Sequence, residues 1–406
     1  MDNRLKKHIL VISQYFYPEQ FRINDICTEW VKRGYKVTVI TGIPNYPQGK
    51  YYDGYGLFKK RKETFNGIEV IRIPLIARGN HAIMLVLNYL SFVVSGFFWK
   101  VFTKIKADYV FIFEVSPMTQ ALPGVWYAKK RKIPCYLYVT DLWPENVEII
   151  GGITNKRILS AIGVMVDYIY KRCDRIFTSS ESFIHAIFDR GIDKNKLEFW
   201  PQYAEDYYQP VDKLTVDVPE ILRDGKFNIT FAGNIGYAQG LDVLPEAAKM
   251  LKEAAKQVRF NIVGDGRFKD VLKEKVKDVT EFFNLIDKQP AKRIPEFMAV
   301  SDAALISLSK SKVFSITLPA KTQSCLACGI PVIVSADGEI QGVINKAEAG
   351  ICSDAGDAKG LAENIRWLMS LSEDKRVEMA NNAVRYYKEN FDKEMLLSKM
   401  DNWFAK

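Results

Sequence analysis

FNITFAGNIGYAQGLDVL, residues 227–244, is the clearest indication of fold class in this chain. A β-rich run ends at Gly233, Gly236 and Gly240, and a helical pattern follows. Backbone amides in such a turn, at the start of a helix, can face a phosphate. Glycine-rich turns between a strand and a helix are also often plain connections, so the motif alone leaves both interpretations open.

The order of strand, turn and helix recurs through the second half of the chain. Residues 262–272, IVGDGRFKDVL, repeat it, and residues 281–286, EFFNLI, form the next β-rich run. Residues 318–335, LPAKTQSCLACGIPVIVS, then predict a helix that leads into a buried strand, with Lys321 near the start of the helix. Strands alternating with helical patterns predict βαβ units and a parallel sheet.

The first half shows the same alternation. Its β-rich runs are HILVIS (8–13), YKVTVITG (35–42), YVFIFE (109–114) and CYLYVT (135–140). Residues 200–226 are rich in Pro, Asp and Tyr and lack periodicity, which is typical of a linker. We therefore predict an α/β protein with two Rossmann-like, doubly wound domains facing across a cleft, at 1–205 and 206–385. A last helix at about 386–406 can pack back on the first domain.

Composition excludes several classes of protein. The chain has 406 residues, 48% of them hydrophobic and 26% charged, which is unlike a fibrous or disordered protein. Six cysteines are too few for a disulfide scaffold in a chain of this length, so we expect a reducing compartment. The N-terminal residues do not have the pattern of a secretory signal, and we expect a cytoplasmic protein.

The net charge of +9 lies in the first half, where residues 1–200 hold 29 Lys and Arg against 18 Asp and Glu. A basic half can attract nucleic acid, anionic lipid or phosphorylated substrates. No nucleic-acid motif accompanies the charge, so we do not expect a nucleic-acid partner.

Residues 82–99, AIMLVLNYLSFVVSGFFW, form a run without a charged side chain, followed by Lys100, Lys104 and Lys106. Its length is at the lower limit for a membrane span. A helix lying in the membrane surface and a helix buried on a sheet explain the run as well. In the membrane-surface interpretation, the lysines favour anionic head groups on the cytoplasmic leaflet.

Carboxylates follow two strands of the first half. Asp141 and Glu145 lie in TDLWPE, directly after a buried strand, and Glu114 ends YVFIFE on the same edge. Paired carboxylates in different environments can divide catalytic roles, so these three are our catalytic candidates. Asp141 could equally serve as a helix cap. Only three histidines are present and none lies in a motif, so we do not expect a histidine base.

The pair Cys325 and Cys328 invites a zinc or redox interpretation. Zinc needs four ligands, and the sequence has no second close pair of Cys or His. We interpret the two cysteines as buried small residues of a helix and predict no metal site.

Together these segments resemble the retaining glycosyltransferases of family 4, which have the GT-B fold, and the resemblance covers nearly the whole chain. The motif wording is similar to a bacterial subgroup that builds colanic acid, O-antigen and capsule and includes N-acetylfucosamine transferases. The motifs that carry the resemblance are SQYFYPE (13–19), DLWPE (141–145), GNIGYAQGL (233–241), IVGDG (262–266) and LPAKTQSCLACG (318–329).

The resemblance implies transfer of a sugar from a UDP-linked donor to a lipid-linked saccharide at the cytoplasmic membrane face, without a metal or other cofactor. The C-terminal domain would hold the donor. Its implied contacts are the backbone near Leu285 and Ile286 for the base, Ser324 for the ribose, and the amides around Asn234, Ile235 and Gly236 with Lys321 for the diphosphate. Gly264 and Asp265 in the second glycine turn are further candidates for donor binding.

The chain departs from the family pattern at three positions. The two glutamates before the A-x-A-x-G-like helix are replaced by Ile316 and Ser324, and the lysine of the first phosphate loop is replaced by Gln239. The diphosphate role therefore shifts towards Lys321. Glu339, in the turn after the next strand, could supply a lost carboxylate, although it could equally be a solvated turn residue.

Two other functions remain open on the sequence. Non-hydrolysing UDP-sugar epimerases share the GT-B plan, so an epimerase or a hydrolase is one alternative. The two missing glutamates also leave room for a catalytically silent, membrane-bound assembly subunit. We expect the protein to lie peripherally on the inner face of the cell membrane.

Overall fold

The computed structural model describes residues 7–79, 81–149, 151–254 and 257–405. The chain divides into two compact units. The first comprises the chain up to Ser179 together with Phe183–Trp200, and the second comprises Ser180–Ser182 and the chain from Pro201 onward. The boundary between the two units therefore lies after Trp200, five residues before the domain boundary that we had predicted after residue 205.

The first unit is a twisted sheet with the strand order β3-β4-β2-β1-β5-β6-β7-β8, parallel throughout except that β3 runs antiparallel to β4. Its strands β1 and β6 are buried at every position, because helices cover both faces of a parallel sheet. The elements are β1 (His8–Ile12), α1 (Arg22–Lys32), β2 (Lys36–Thr41), β3 (Lys62–Phe65), β4 (Ile68–Arg72), α2 (Ala82–Phe102), β5 (Tyr109–Glu114), α3 (Ala121–Arg131), β6 (Cys135–Val139), α4 (Glu145–Ile149), α5 (Lys156–Arg172), β7 (Arg175–Thr178), α6 (Ser182–Phe188) and β8 (Leu197–Phe199).

The second unit is a parallel sheet with the strand order β11-β10-β9-β12-β13-β14. One face packs on α7 and α13 and the other on α11 and α12. The elements are β9 (Phe227–Asn234), α7 (Leu244–Glu253), β10 (Val258–Asp265), α8 (Lys269–Lys275), β11 (Phe283–Ile286), α9 (Ile294–Ala299), β12 (Ala303–Ser307), α10 (Lys312–Ser315), α11 (Ala320–Cys328), β13 (Val332–Ser335), α12 (Glu339–Ala347), β14 (Gly350–Ser353), α13 (Ala358–Ser370), α14 (Glu373–Asn390) and α15 (Lys393–Ala405).

The predicted class, α/β with two doubly wound, Rossmann-like domains, is confirmed. In each sheet the order of strands reverses at one point, between β1 and β5 in the first unit and between β9 and β12 in the second. Ligands of such sheets bind outside the carboxyl ends of the strands at these switch points. The packing of the last helix on the first domain stays a prediction.

Helix α2 contains the apolar run 82–99 and extends it by one turn to Phe102. Only 17% of its most apolar 18-residue stretch is buried, so α2 is not the buried core helix that was one of the interpretations of this run. Its buried residues Asn88, Phe92 and Gly96 lie one turn apart, and at Gly96 a Cβ would meet the Pro123 ring of α3 at 2.2 Å. The apolar side chains exposed on the rest of the helix are Ile83, Val86, Leu87, Leu90, Val94, Phe97, Phe98, Val101 and Phe102. We call these nine residues the outer face of α2.

Candidate functional site

The first glycine turn follows β9 at the switch point of the second sheet. Asn234 is exposed at the end of the strand, and no described group accepts a hydrogen bond from the Gly236 N–H. Ile235 differs from the expectation. Its side chain is fully buried, and its N–H donates to the Asp265 carbonyl at 2.8 Å, so this amide is already paired. The turn therefore offers Asn234 and Gly236 to a ligand, but not the Ile235 amide.

The second glycine turn lies beside the first because β10 pairs with β9, with Gly264 opposite Gly233. A Cβ on Gly264 would lie 1.9 Å from the Gly233 carbonyl oxygen, and its φ of +153° is one that L side chains rarely adopt. The Asp265 carboxylate is exposed and accepts from the Gly266 N–H at 2.8 Å. Only glycine allows the two turns to approach this closely.

Gly264→Ala should destabilise the second unit by about 3 kcal/mol, because the new Cβ must separate two paired strands. We expect the second unit of this variant to unfold at a lower urea concentration than in the wild type and to lose nucleotide binding. Gly342→Ala is the matched control, since a Cβ there meets nothing within 4 Å. In helix α12 it should stabilise by about 0.5–1 kcal/mol. Equal transitions for the two variants would contradict the role assigned to Gly264.

Lys321 brings the third motif to the first turn. It lies in the first turn of α11, and its Nζ donates to Gln239 Oε1 at 2.6 Å. The same Nζ lies 3.7 Å from the centroid of the Phe231 ring, and a Cβ on Gly233 would meet Lys321 Cε at 2.7 Å. Burial lowers the pKa of the Lys321 ammonium to about 7. A poorly solvated cation thus lies against the glycine turn, where a diphosphate would stabilise its charged form.

Glu339 and Ser324, the predicted substitutes for the missing glutamates, already form hydrogen bonds within the protein. Glu339 begins α12, and its two carboxylate oxygens accept from the backbone N–H groups of Glu181 and Ser182 at 2.7 and 2.8 Å. Both of these residues belong to the second unit, although Ser182 is the first residue of α6 and the rest of that helix belongs to the first unit. Both carboxylate oxygens of Glu339 are therefore already hydrogen-bonded to backbone amides in this structure. The Ser324 hydroxyl donates to the Ala320 carbonyl of its own helix at 3.4 Å. This bond leaves its oxygen as an acceptor, so a ribose contact would have to donate to Ser324.

The residues predicted for the base lie on the edge strand β11. The Ile286 side chain is buried, and Leu285 packs on the core of the sheet. Their side chains are therefore unavailable, and only backbone groups of this strand could contact a base. The described residues contain no group of three or more His, Cys, Asp or Glu that could hold a metal ion.

Lys269 is a cation that our sequence analysis missed. Its Nζ donates to the Gly264 carbonyl at 3.3 Å and to Asp287 Oδ1 at 2.7 Å. The side chain is largely buried beside the second glycine turn, while Asp287 is almost fully exposed. The signal in the sequence was its position three residues after Gly266, in the first turn of the following helix.

The catalytic candidates of the first unit lie in different surroundings. Asp141, after β6, accepts from the Ser116 N–H at 2.8 Å and is partly exposed at the carboxyl edge of the sheet. Glu114 is fully buried, and burial, helped by the nearby Asp141 carboxylate, holds its pKa well above the usual range. Glu114 is therefore enclosed in the sheet and has no exposed carboxylate in this structure. Asp141, unlike Glu114, remains open to a ligand.

Glu145 is partly exposed, with 40% of its side chain accessible to solvent. It begins α4, and its Oε1 lies 4.0 Å from Arg190 Nη1. Arg190 in turn pairs with Asp167 at 2.8 Å. The carboxylate thus lies at the edge of an ion-pair network between helices, and its catalytic role stays a prediction. Cys325 and Cys328 are buried, as we had interpreted them.

Comparison with known proteins gives this site a family context. Residues 215–386 match the family described as Glycosyl transferases group 1. The chain is 26% identical to WcaI of Escherichia coli (strain K12), which is named as a colanic acid biosynthesis glycosyl transferase, over 97% of this chain and 98% of that protein.

Two solved structures share the fold over nearly the full length. Sucrose-phosphate synthase from Thermosynechococcus elongatus superposes with a TM-score of 0.76 at 13% identity, covering 98% of each chain. HepE of Anabaena, in complex with UDP and glucose, superposes with a TM-score of 0.69 at 14% identity, covering 99% of this chain and 100% of that one. The chain therefore has the GT-B fold.

Proposed function

We propose that this chain, a glycosyltransferase of the GT-B type, moves a sugar from a UDP-linked donor to a lipid-linked saccharide and retains the configuration of the sugar. The observation that carries the donor assignment is the Lys321 ammonium against the glycine turn after β9, 2.6 Å from Gln239. Solved GT-B structures with UDP, such as that of HepE, support the choice of nucleotide.

Lys321 and the Gly236 amide would act on the leaving group. Negative charge builds on the diphosphate as the glycosidic bond breaks, so donors that are already in place stabilise the transition state more than the ground state. The leaving phosphate oxygen can take the proton of the acceptor hydroxyl on the same face, which needs no histidine base. Asp141 would orient the acceptor or stabilise an oxocarbenium-like centre.

The acceptor proposal rests on α2 and on the name of the relative WcaI. Exposed apolar side chains of this extent mark an interaction surface in soluble proteins. Lys130 Nζ donates to the Lys100 and Val101 carbonyls, and Arg131 to that of Thr103, so basic residues of α3 surround the end of α2. An apolar face beside a basic cluster suits an anionic lipid surface. We infer a peripheral position on the inner face of the cell membrane, with α2 lying in the interface.

The finer assignment is an N-acetylated deoxyhexosamine, such as N-acetylfucosamine, added to an undecaprenyl-diphosphate saccharide during synthesis of capsule, O-antigen or exopolysaccharide. Its support is the motif wording GNIGYAQGL (233–241) and LPAKTQSCLACG (318–329).

Calorimetric titration of the purified chain with nucleotides, with and without magnesium, tests the donor assignment. We expect UDP to bind in roughly the micromolar range, equally in both conditions, because Lys321 supplies the cation. ADP and GDP serve as matched ligands and should bind more weakly. Loss of UDP binding on removal of magnesium would contradict the metal-independent site, and absence of UDP binding would contradict the donor assignment itself.

Positive titrations lead directly to a screen of UDP-sugars with membrane extracts. Radiolabel from UDP-N-acetylfucosamine should appear in the lipid fraction. Transfer from another UDP-sugar alone would replace this donor, and label in water-soluble products alone would contradict the lipid-linked acceptor.

A further inference from the structure

We propose that Arg78 and the tyrosine hydroxyls around it form a binding site for the diphosphate of the lipid-linked acceptor, at the carboxyl edge of the first sheet. This inference rests on the proposed function for the existence of a lipid-linked acceptor. It adds the residues that would hold it.

Arg78 is a partly buried cation surrounded by aromatic rings. Its Nη1 donates to the Tyr15 hydroxyl at 3.3 Å, and its guanidinium lies 5.3 Å from the centroid of the Tyr46 ring. Its backbone N–H donates to Asn45 Oδ1 at 2.9 Å. No carboxylate pairs with Arg78 among the described residues. A half-buried guanidinium without an anionic partner retains donors that a phosphate can accept in pairs.

Arg72 shows the contrast with a structural arginine in the same part of the chain. It is fully buried, and its guanidinium contacts the Glu63 carboxylate and the carbonyls of Gly42 and Tyr17. These partners satisfy its charge and most of its donors inside the fold. Arg78 lacks such partners, so its charge is available to a ligand.

Three neighbouring strands bring the site together. Tyr15 follows β1, Tyr46 follows β2 and Arg78 follows β4, and these strands are adjacent and parallel, so their carboxyl ends meet at one edge. Glu19, which is buried, accepts from the Asn45 and Tyr46 N–H groups at 2.8 and 2.7 Å. This anchor holds the second loop against the first, so the site is largely organised before a ligand binds.

Tyr89 closes the site from helix α2. Burial raises the pKa of its hydroxyl, the Arg78 guanidinium opposes this, and the Asp141 carboxylate adds to it. Its ring also lies 6.5 Å from that of Trp143. Trp143 lies two residues after Asp141, so Tyr89 connects the proposed diphosphate site to the loop that carries this carboxylate.

The same helix relates the site to a lipid surface. Asn88 is fully buried, accepts from Gln14 Nε2 at 2.7 Å and donates to the Ile76 carbonyl at 2.6 Å, which fastens α2 to this edge. Leu87 and Leu90, on either side of Asn88 and Tyr89 in sequence, belong to the outer face. Val86 of the outer face lies three residues before Tyr89, and residues at this spacing are neighbours on a helix surface. A lipid on the outer face would therefore lie beside the proposed site, which favours a prenyl diphosphate over a soluble phosphate ester.

Binding of farnesyl diphosphate to the full chain tests the site, with saturating UDP present so that the second unit cannot contribute. Arg78→Ala should weaken binding at least tenfold, and Arg78→Lys should restore part of it as a point charge. Tyr89→Phe, which removes one donor, should weaken binding a few-fold without disturbing the fold. Arg385→Ala, an exposed arginine on α14, is the charge-matched control and should bind as the wild type does.

UDP affinity measured in each variant separates this inference from the proposed function. Unchanged UDP binding with lost farnesyl diphosphate binding supports the site. Equal binding of farnesyl diphosphate by the wild type and Arg78→Ala, or equal binding of farnesol and farnesyl diphosphate, would overturn it. Equal affinity for inorganic diphosphate would overturn the assignment to a lipid.

Discussion

Lys321→Met should lower turnover by about two to three orders of magnitude, because it removes the cation that faces the departing diphosphate. The methionine keeps the length of the side chain over Phe231 and beside Gly233, so packing is preserved. Stability should be unchanged or higher at pH 6, because the wild-type site buries a charge at a cost. Turnover and urea unfolding, measured on the same preparation, check both results.

The pKa of about 7 for Lys321 predicts that stability and nucleotide binding depend on pH in a way that the Lys321→Met variant lacks. Between about pH 7 and 10.5 the unfolded chain holds a proton that the folded chain does not, so this group makes the fold more stable as pH rises. Nucleotide binding has the opposite sign. The diphosphate favours the protonated lysine, so binding takes up a proton, and UDP affinity should fall as pH rises from 7.5 to 9.5.

Lys346→Met, an exposed lysine on α12, is the matched control and should alter neither turnover nor the pH profile of binding. Turnover of Lys321→Met within a few-fold of the wild type would refute the diphosphate role. A wild-type affinity for UDP that does not change between pH 7.5 and 9.5 would refute the proton uptake.

The double substitution Leu90→Glu with Val94→Glu should abolish binding to vesicles that contain phosphatidylglycerol. Both side chains lie on the outer face of α2, about half exposed, and each would bury apolar area in lipid. Losing about 1.5–3 kcal/mol at each position, together with repulsion from anionic head groups, predicts a decrease of more than 100-fold. Vesicle sedimentation measures it.

Leu222→Glu with Val377→Glu is the matched control, because these residues have the same types and almost the same exposure in the second unit. That variant should still bind vesicles. UDP affinity and thermal stability should remain at the wild-type level in both double variants, since exposed positions carry little packing energy. Retained vesicle binding by the α2 variant, or wild-type binding that ignores lipid charge and salt, would count against the membrane assignment.

The position of a candidate residue could be predicted where it depends on residues close to it in the sequence, and could not where it depends on tertiary contacts. Lys321 lies against the first glycine turn, at Gly233 and Gln239, because a glycine turn after one strand and a helix start after another meet at the carboxyl edge of any parallel sheet. The prediction that the Ile235 amide faces a diphosphate was wrong, because this N–H donates to the Asp265 carbonyl at the end of the neighbouring strand. The burial of Glu114 was not predictable, because a strand's last residue points inward or outward according to register, which the sequence does not display.

The sequence by itself determined the α/β class, the two sheets, the apolar helix and the glycine turns, because hydrophobic period and turn chemistry act over a few residues. Only the tertiary structure decided which faces of those elements meet water. In the structure the apolar side of α2 is exposed, Glu339 accepts hydrogen bonds from two backbone amides, and Arg78 lies against Tyr15 and Tyr46. These contacts join loops from separate strands, and they depend on strand order and helix rotation, which no local pattern specifies.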